Sequence, residues 1–519
     1  MKFKRISIVI FILSTLIVKA QNEFTTIWKP DSNVIPTMNV NAPFQANSQQ
    51  IWFPGIGENY TITWEEVGYP QHNGILDNVT STKQVLIDFG ASLNDGSAAT
   101  YRVKVSNGNG VFRQIQFGEV QLFSAPEQYI PVWQINGSAD KILEIEQWGN
   151  ISWKTMKSAF SNCKLIQITA TDAPILSGVK DASFMFYGTT SFTGASSMQN
   201  WNTSNIENFS YMFSLLFNPS PNNLIQDQFN SPYINSWDMS SATDLCTMFA
   251  GRGIFNQSLD NWNVSKVKDM SWMFAQCLSY NQRMDNWDTS SLEDMHFMFH
   301  VIPVFNQPLN WNTSKVTNMA HIFHGCKAFN QSLEHWDTTK VTRMDQILND
   351  ATSFNQPLGN WNLASLGDAN SGLFGSAISC ENYSKTLAAW ADNPNTANNV
   401  SFGVITPLKY APNVSDKRDI LVNKGWILNG DVPGSCFLSV SELHPNKKLS
   451  LYPNPAVDDI HIEGLADIKS YKIYDASGRL VKEGNPNRDM ININNLPKGN
   501  YILQLIMKET VISSKFIKK

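Results

Sequence analysis

Between Trp237 and Trp361, one arrangement of apolar and polar positions recurs six times: FNQ-L-x-x-W-[ND]-x-S-x-V-x-[DN]-M-x-x-MF. The tryptophans Trp237, Trp262, Trp287, Trp311, Trp336 and Trp361 follow one another at steps of 25, 25, 24, 25 and 25 residues. Trp201 with Met212-Phe213 is an earlier copy, set apart by an 11-residue insertion. A fixed period of this length predicts a solenoid, because one copy cannot bury its own apolar face and each must borrow core from its neighbours. Within a copy, FNQ-L reads as a strand and V-x-[DN]-M-x-x-MF as about two helical turns. Val267, Met270, Met273 and Phe274 stand three, three and one apart, one face of a short helix. Ser204, Ser265, Ser290, Ser314 and Thr339 sit where hydroxyls cap helix starts, with Glu207 and Glu293 completing capping boxes. The expectation is an α/β solenoid over 141–375, entered through a degenerate copy that begins at Gln147-Trp148-Gly149.

Elsewhere the pattern changes. Residues 21–140 alternate apolar and polar positions between Gly, Asn and Pro, with strands expected at Tyr60–Trp64, Gln84–Asp88, Tyr101–Val105 and Gln114–Phe117. This predicts an all-β sandwich of immunoglobulin or PKD-like size. Residues 376–440 predict a helical cap, with helices over Asn382–Asp392 and Ser415–Lys424 and a strand at Trp426–Leu428. A linker spans 441–447. The tail, 448–519, alternates through seven short strands from Leu449–Tyr452 to Val511–Phe516, a small β-sandwich.

Composition narrows the class. Net charge is −5 and only 16% of residues are charged, so no basic field invites nucleic acid. Lys2, Lys4 and Arg5 precede the apolar run Ile6–Val18, with Ala20 at the cleavage site; residues 1–20 read as a secretory signal peptide and the mature chain carries no expected transmembrane segment. Among the six cysteines, Cys277 and Cys326 hold one repeat position two copies apart, roughly 10 Å at strand spacing. That is beyond disulfide reach and marks them as small buried residues, as is Cys163. Cys380 and Cys436 bracket the cap and are the best candidate pair.

Five of eight histidines, His296, His300, His321, His324 and His335, crowd into two adjacent copies. His300 and His324 share a repeat position and should stack about 5 Å apart; with His321 they form a candidate Zn²⁺ or Cu²⁺ set. The plainer reading, and the default, makes them exposed polar residues at helix ends. Trp262, Trp287, Trp311 and Trp336 are candidate ligand-binding residues if exposed and core wall if not. Asn256, Asn281, Asn306, Asn330 and Asn355 form a column that suits glycans but more simply bonds along the stack. Asn263, Asp288, Asn312 and Asp337 are turn formers before they are Ca²⁺ ligands. No G-x-S-x-G, H-E-x-x-H, P-loop or Cys-x-x-Cys is present, and neither an enzyme nor a cofactor is expected.

The repeat FNQSLDNWNVSKVKDMSWMF, the lead-in EQWGNISWKTMKSAFSNCKLIQ and the closing ENYSKTLAAW resemble the BspA-like leucine-rich-repeat family of bacterial surface proteins, over roughly 141–435. That resemblance implies a right-handed, leucine-rich-repeat-like solenoid and a surface or adhesion role towards a protein or glycan. LYPNP at Leu451–Pro455, YDASGRLV at Tyr474–Val481, LPKGNY at Leu496–Tyr501 and the basic end KFIKK resemble the sorting domain of the type IX secretion system of Bacteroidetes. This implies that 448–519 contacts the type IX machinery and is then removed, the protein being released or anchored through lipopolysaccharide at the cell surface. A structural stalk, or an accessory module of polysaccharide processing, are the alternatives.

Overall fold

A computed structural model describes residues 22–32, 46–125, 128–215, 227–436, 438, 450–463, 468–476, 478–507 and 511–519. The signal peptide and the linker at 441–447 lie outside the described residues.

Eleven strands open the chain: β1 Phe24–Trp28, β2 Gln50–Phe53, β3 Gly55–Glu66, β4 Tyr69–Ser81, β5 Val85–Asp88, β6 Tyr101–Ser106, β7 Val111–Ile115, β8 Gly118–Ala125, β9 Gln128–Ile135, β10 Ile142–Gln147 and β11 Gln167–Ile168. They do not make the expected immunoglobulin-like sandwich. One seven-stranded sheet runs β11-β10-β1-β6-β3-β4, with β7 also on β3, while β2-β5 and β8-β9 are separate pairs. β11 belongs to the first repeat and pairs in parallel with β10 through Glu144↔Gln167 and Ile145↔Ile168. The sheet thus crosses residue 140 and covers the open end of the repeats. Phe24 meets Trp153 edge-on at 5.2 Å, and both belong to one core that extends from Phe24 to Leu438.

The repeats themselves correct the α/β solenoid of leucine-rich type. Among the described residues they hold two 3₁₀ turns, Ser196–Asn200 and Pro232–Ser236, and no α-helix. Nor does FNQ-L form a strand. Copies join through single-residue parallel bridges, Asp181↔Asn208↔Asp244↔Asp269↔Asp294↔Asn318↔Arg343↔Asp368↔Ser401. From Met270 to Cys277 every amide can be followed. Met270, Trp272, Phe274 and Gln276 donate to the next copy at Asp294, His296, Met298 and His300, at 2.8–3.0 Å. Met273, Ala275 and Cys277 donate back three residues within their own copy, and Ser271 N–H donates to Asp269 Oδ1. A helix cannot do this, because every fourth residue of the run must turn left-handed: Trp272 has φ 58° and Gln276 φ 60°. The same position is left-handed at Tyr211, Thr247, Phe297, His321 and Gln346. Ser204 therefore caps no helix; its hydroxyl donates to Asn202 Oδ1 in a side-chain turn. Glu207 and Glu293 pair instead with Lys180 and Lys268 of the preceding copies.

Side chains complete the ladder. Asn256 Oδ1 accepts from Asn281 N–H, and this repeats from Asn281 to Asn306, Asn306 to Asn330 and Asn330 to Asn355 at 2.8–3.0 Å. Inside, Phe213, Phe249, Phe274, Phe299 and Phe323 stack at 5.7–5.9 Å between ring centroids. Arg252 occupies the slot that holds Cys277 or Cys326 in other copies. It is fully buried, and its guanidinium donates to Asp227, to the Phe213 and Thr189 carbonyls and to the Thr189 hydroxyl, tying in the irregular copy after the insertion.

Beyond the repeats, helix α1 Cys380–Asp392 is capped by Ser379, and α2 Ser415–Asn423 follows. The parallel pairs β12 Ser401–Val404 with β14 Ile427–Asn429, and β13 Lys409–Tyr410 with β15 Val432–Pro433, continue the stack. Cys380 and Cys436 form a disulfide across this cap. The tail carries strands β16 Ser450–Tyr452, β17 Asp459–Glu463, β18 Ser470–Asp475, β19 Leu480–Gly484, β20 Met490–Asn492, β21 Gly499–Ile506 and β22 Val511–Lys518. They form a three-stranded and a four-stranded sheet around a separate core that includes Ile460, Ile473, Leu503 and Phe516.

Candidate functional site

The first left-handed residue of each copy, ten after its tryptophan, lies outside the phenylalanine column. In three consecutive copies that side chain is a ring. Trp272 stacks on Phe297 at 4.0 Å, and Phe297 on His321 at 4.0 Å, forming a half-buried aromatic ledge on the flank of the stack. Contact between rings offsets part of the left-handed backbone's unfavourable energy, about 1–2 kcal/mol per residue. His296 is oriented at one end. Its Nε2 accepts from Trp272 Nε1–H at 3.3 Å, and its Nδ1–H donates to Asp294 at 2.6 Å.

At the other end lie His300, His321 and His324. His300 and His324 are edge to face with centroids 4.8 Å apart, close to the spacing expected of a shared repeat position. His321 Nδ1 lies 3.3 Å from His324 Nδ1, and His321 Nε2–H reaches Asp345 Oδ2 at 3.1 Å. One nitrogen from each ring falls within 4.8 Å of the others. His300 is not the exposed helix-end residue expected: it is half-buried, and its Nδ1 is buried without a hydrogen-bond partner. Burial first, then its neighbours His324 and His321, pushes its pKa down to about 3. Burial and the His321 charge lower His324 as well. Burial disfavours the Asp345 carboxylate, but the His321 hydrogen bond and the Arg343 charge prevail and hold its pKa below the usual value. His335 stands apart, bonded to the Leu309 carbonyl.

The other predicted site residues have structural places. Trp262, Trp287, Trp311 and Trp336 are only 2–4% exposed. Each indole N–H donates to a carbonyl of the preceding copy, at Ile234, Leu259, Met284 and Leu309. No exposed tryptophan strip exists there. Asn263, Asp288, Asn312 and Asp337 each accept the amide two residues on. A further cluster, Asp244, Cys246 and Asp269, flanks the bridge column. Burial, with the charges of Asp269 and Asp181, raises Asp244 to about 6. Trp272 and Phe297 were missed as site residues, because the consensus leaves that position free; its signal is three rings in a row at an unconstrained place.

Residues 450–519 match a secretion system C-terminal sorting domain. This implies export to the surface or extracellular space through the type IX machinery. Residues 154–219, 220–310 and 309–402 each match a family described as a Mycoplasma protein of unknown function, DUF285. That likeness covers the repeats without assigning them an activity. No curated protein matches the chain. Among the described residues no helix is long and apolar enough to cross a membrane.

Proposed function

We propose that this is a non-enzymatic protein of the cell surface or extracellular space whose repeat stack binds a macromolecule, protein or glycan. The observation that carries this reading is the Trp272–Phe297 ledge, half-buried on the flank of the stack and outside the phenylalanine column. Half-buried rings offer apolar area at little entropic cost and suit a sugar face or an apolar side chain. The sorting domain supports the location, and its contact with the secretion machinery is the chain's first partnership. Binding of the full chain to arrayed matrix proteins and polysaccharides is the test. A ligand held by the native chain and lost in Trp272→Ala supports the proposal. Equal binding by both moves the site off the ledge, and no binding on either array leaves the spacer reading. That second reading draws on the unbroken bridge column from Asp181 to Ser401.

A further inference from the structure

We propose that His300, His321 and His324 form a binding site for a divalent late first-row metal ion of the Zn²⁺ and Cu²⁺ class, joining two neighbouring copies. Three observations carry this. The first is distance. Two imidazole nitrogens bound tetrahedrally at about 2.0–2.1 Å from zinc lie about 3.3–3.4 Å apart, and His321 Nδ1 and His324 Nδ1 are 3.3 Å apart. One nitrogen from each of the three rings lies within 4.8 Å of the others, so a turn of the His300 side chain completes a three-nitrogen face. The second is orientation. Asp345 accepts from His321 Nε2–H, which leaves the Nδ1 lone pair directed at the cluster. This is the carboxylate–histidine arrangement that holds metal-ligating imidazoles in one tautomer. The third is the orphaned Nδ1 of His300, a buried acceptor or donor with nothing to satisfy it among the described residues. Such groups are uncommon in native interiors.

Three neutral nitrogens favour borderline metals over Mg²⁺ or Ca²⁺, which prefer oxygen. Three protein ligands also leave a coordination position for water or for a donor on a bound partner. His300 lies in the copy of Trp287, and His321 and His324 in that of Trp311, so the ion would staple consecutive layers and stabilise the stack.

The test uses the full chain, stripped with chelator and titrated with Zn²⁺ by calorimetry, with Co²⁺ as a visible probe. One Zn²⁺ per chain, a raised Tm and a Co²⁺ absorption of tetrahedral intensity are expected. His300→Ala and His324→Ala should each weaken binding by at least about tenfold. Asp345→Asn, which removes a positioning residue, should also weaken it by about tenfold or more. His335→Ala should leave it unchanged. Absence of binding, or the same affinity in His300→Ala, His324→Ala and the native chain, overturns the proposal. Should a variant fail to fold, the native chain alone decides. Zn²⁺ should protect His300, His321 and His324 from diethyl pyrocarbonate, and equal labelling with and without metal counts against the site.

Discussion

Phe299 shows what one residue contributes. It is fully buried, stacked on Phe274 and Phe323 at 5.9 Å and on Phe305 at 4.2 Å. Phe299→Ala leaves a cavity shared by two interfaces and should cost about 3–5 kcal/mol. Thermal denaturation will show a lowered Tm, with the two halves of the stack melting separately; an unchanged melt would refute the assigned column. Asp244 offers the opposite sign. Its folded pKa, about 6, lies above the ordinary value of 3.8, so below pH 3.8 both states hold the proton. Between 3.8 and 6 the folded state binds more protons than the unfolded, and stability falls as pH rises through that window. Asn already fills this position at Asn208 and Asn318, where it accepts the same turn amide. Asp244→Asn should therefore raise stability by roughly 1–2 kcal/mol at pH 7.5, with the gain vanishing below about pH 4. An equal gain at both pH values would show that charge is not its cause. Phe299 could be assigned to the core from its register alone. The inward turn of His300 could not, since polarity says only that a residue needs a partner and not which way the backbone turns it. Arg252 was legible in principle as a charge in an apolar slot, but its partner Asp227 lies at the end of the insertion, where the repeat pattern assigns no residue.

At the scale of the element, apolar spacing proved ambiguous. Residues at i, i+3 and i+4 line one face of a helix, and they equally line one side of a run of turns whose amides alternate between their own copy and the next. Left-handed Trp272 and Gln276 select the second arrangement. FNQ-L reads as a strand by composition, yet Asn side chains replace the backbone ladder. Asn306→Ala removes the acceptor of Asn330 N–H and Gln331 Nε2–H, leaving a partly buried amide unpaired, and should cost about 1–3 kcal/mol. Urea denaturation will measure it; a change under a few tenths of a kcal/mol would mean that water replaces the ladder. In the tail, alternation has no competing interpretation, and strands formed at all seven expected places. The cap's two helices could be placed as well, because Pro394 and Gly425 end them, although Ser379 starts the first helix two residues earlier than its apolar spacing suggests.

Across the whole molecule, the N-terminal sheet, the repeats and the cap share one core, while the tail keeps its own. A separate core lets the tail act as a removable address. Deleting residues 450–519 should retain the protein in the periplasm, and mass spectrometry of surface material should find chains ending before the tail. An intact Lys519 on the surface protein would contradict this. The amino-acid sequence by itself determined the period, the core columns and the export tail, because each is a matter of side-chain type at a given spacing. Tertiary structure alone decided the conformation of the repeats, the continuity of the first sheet into them and the burial of His300. Those depend on where each copy sends its amides, and from Met270 to Cys277 four of eight go to a neighbour some 25 residues away.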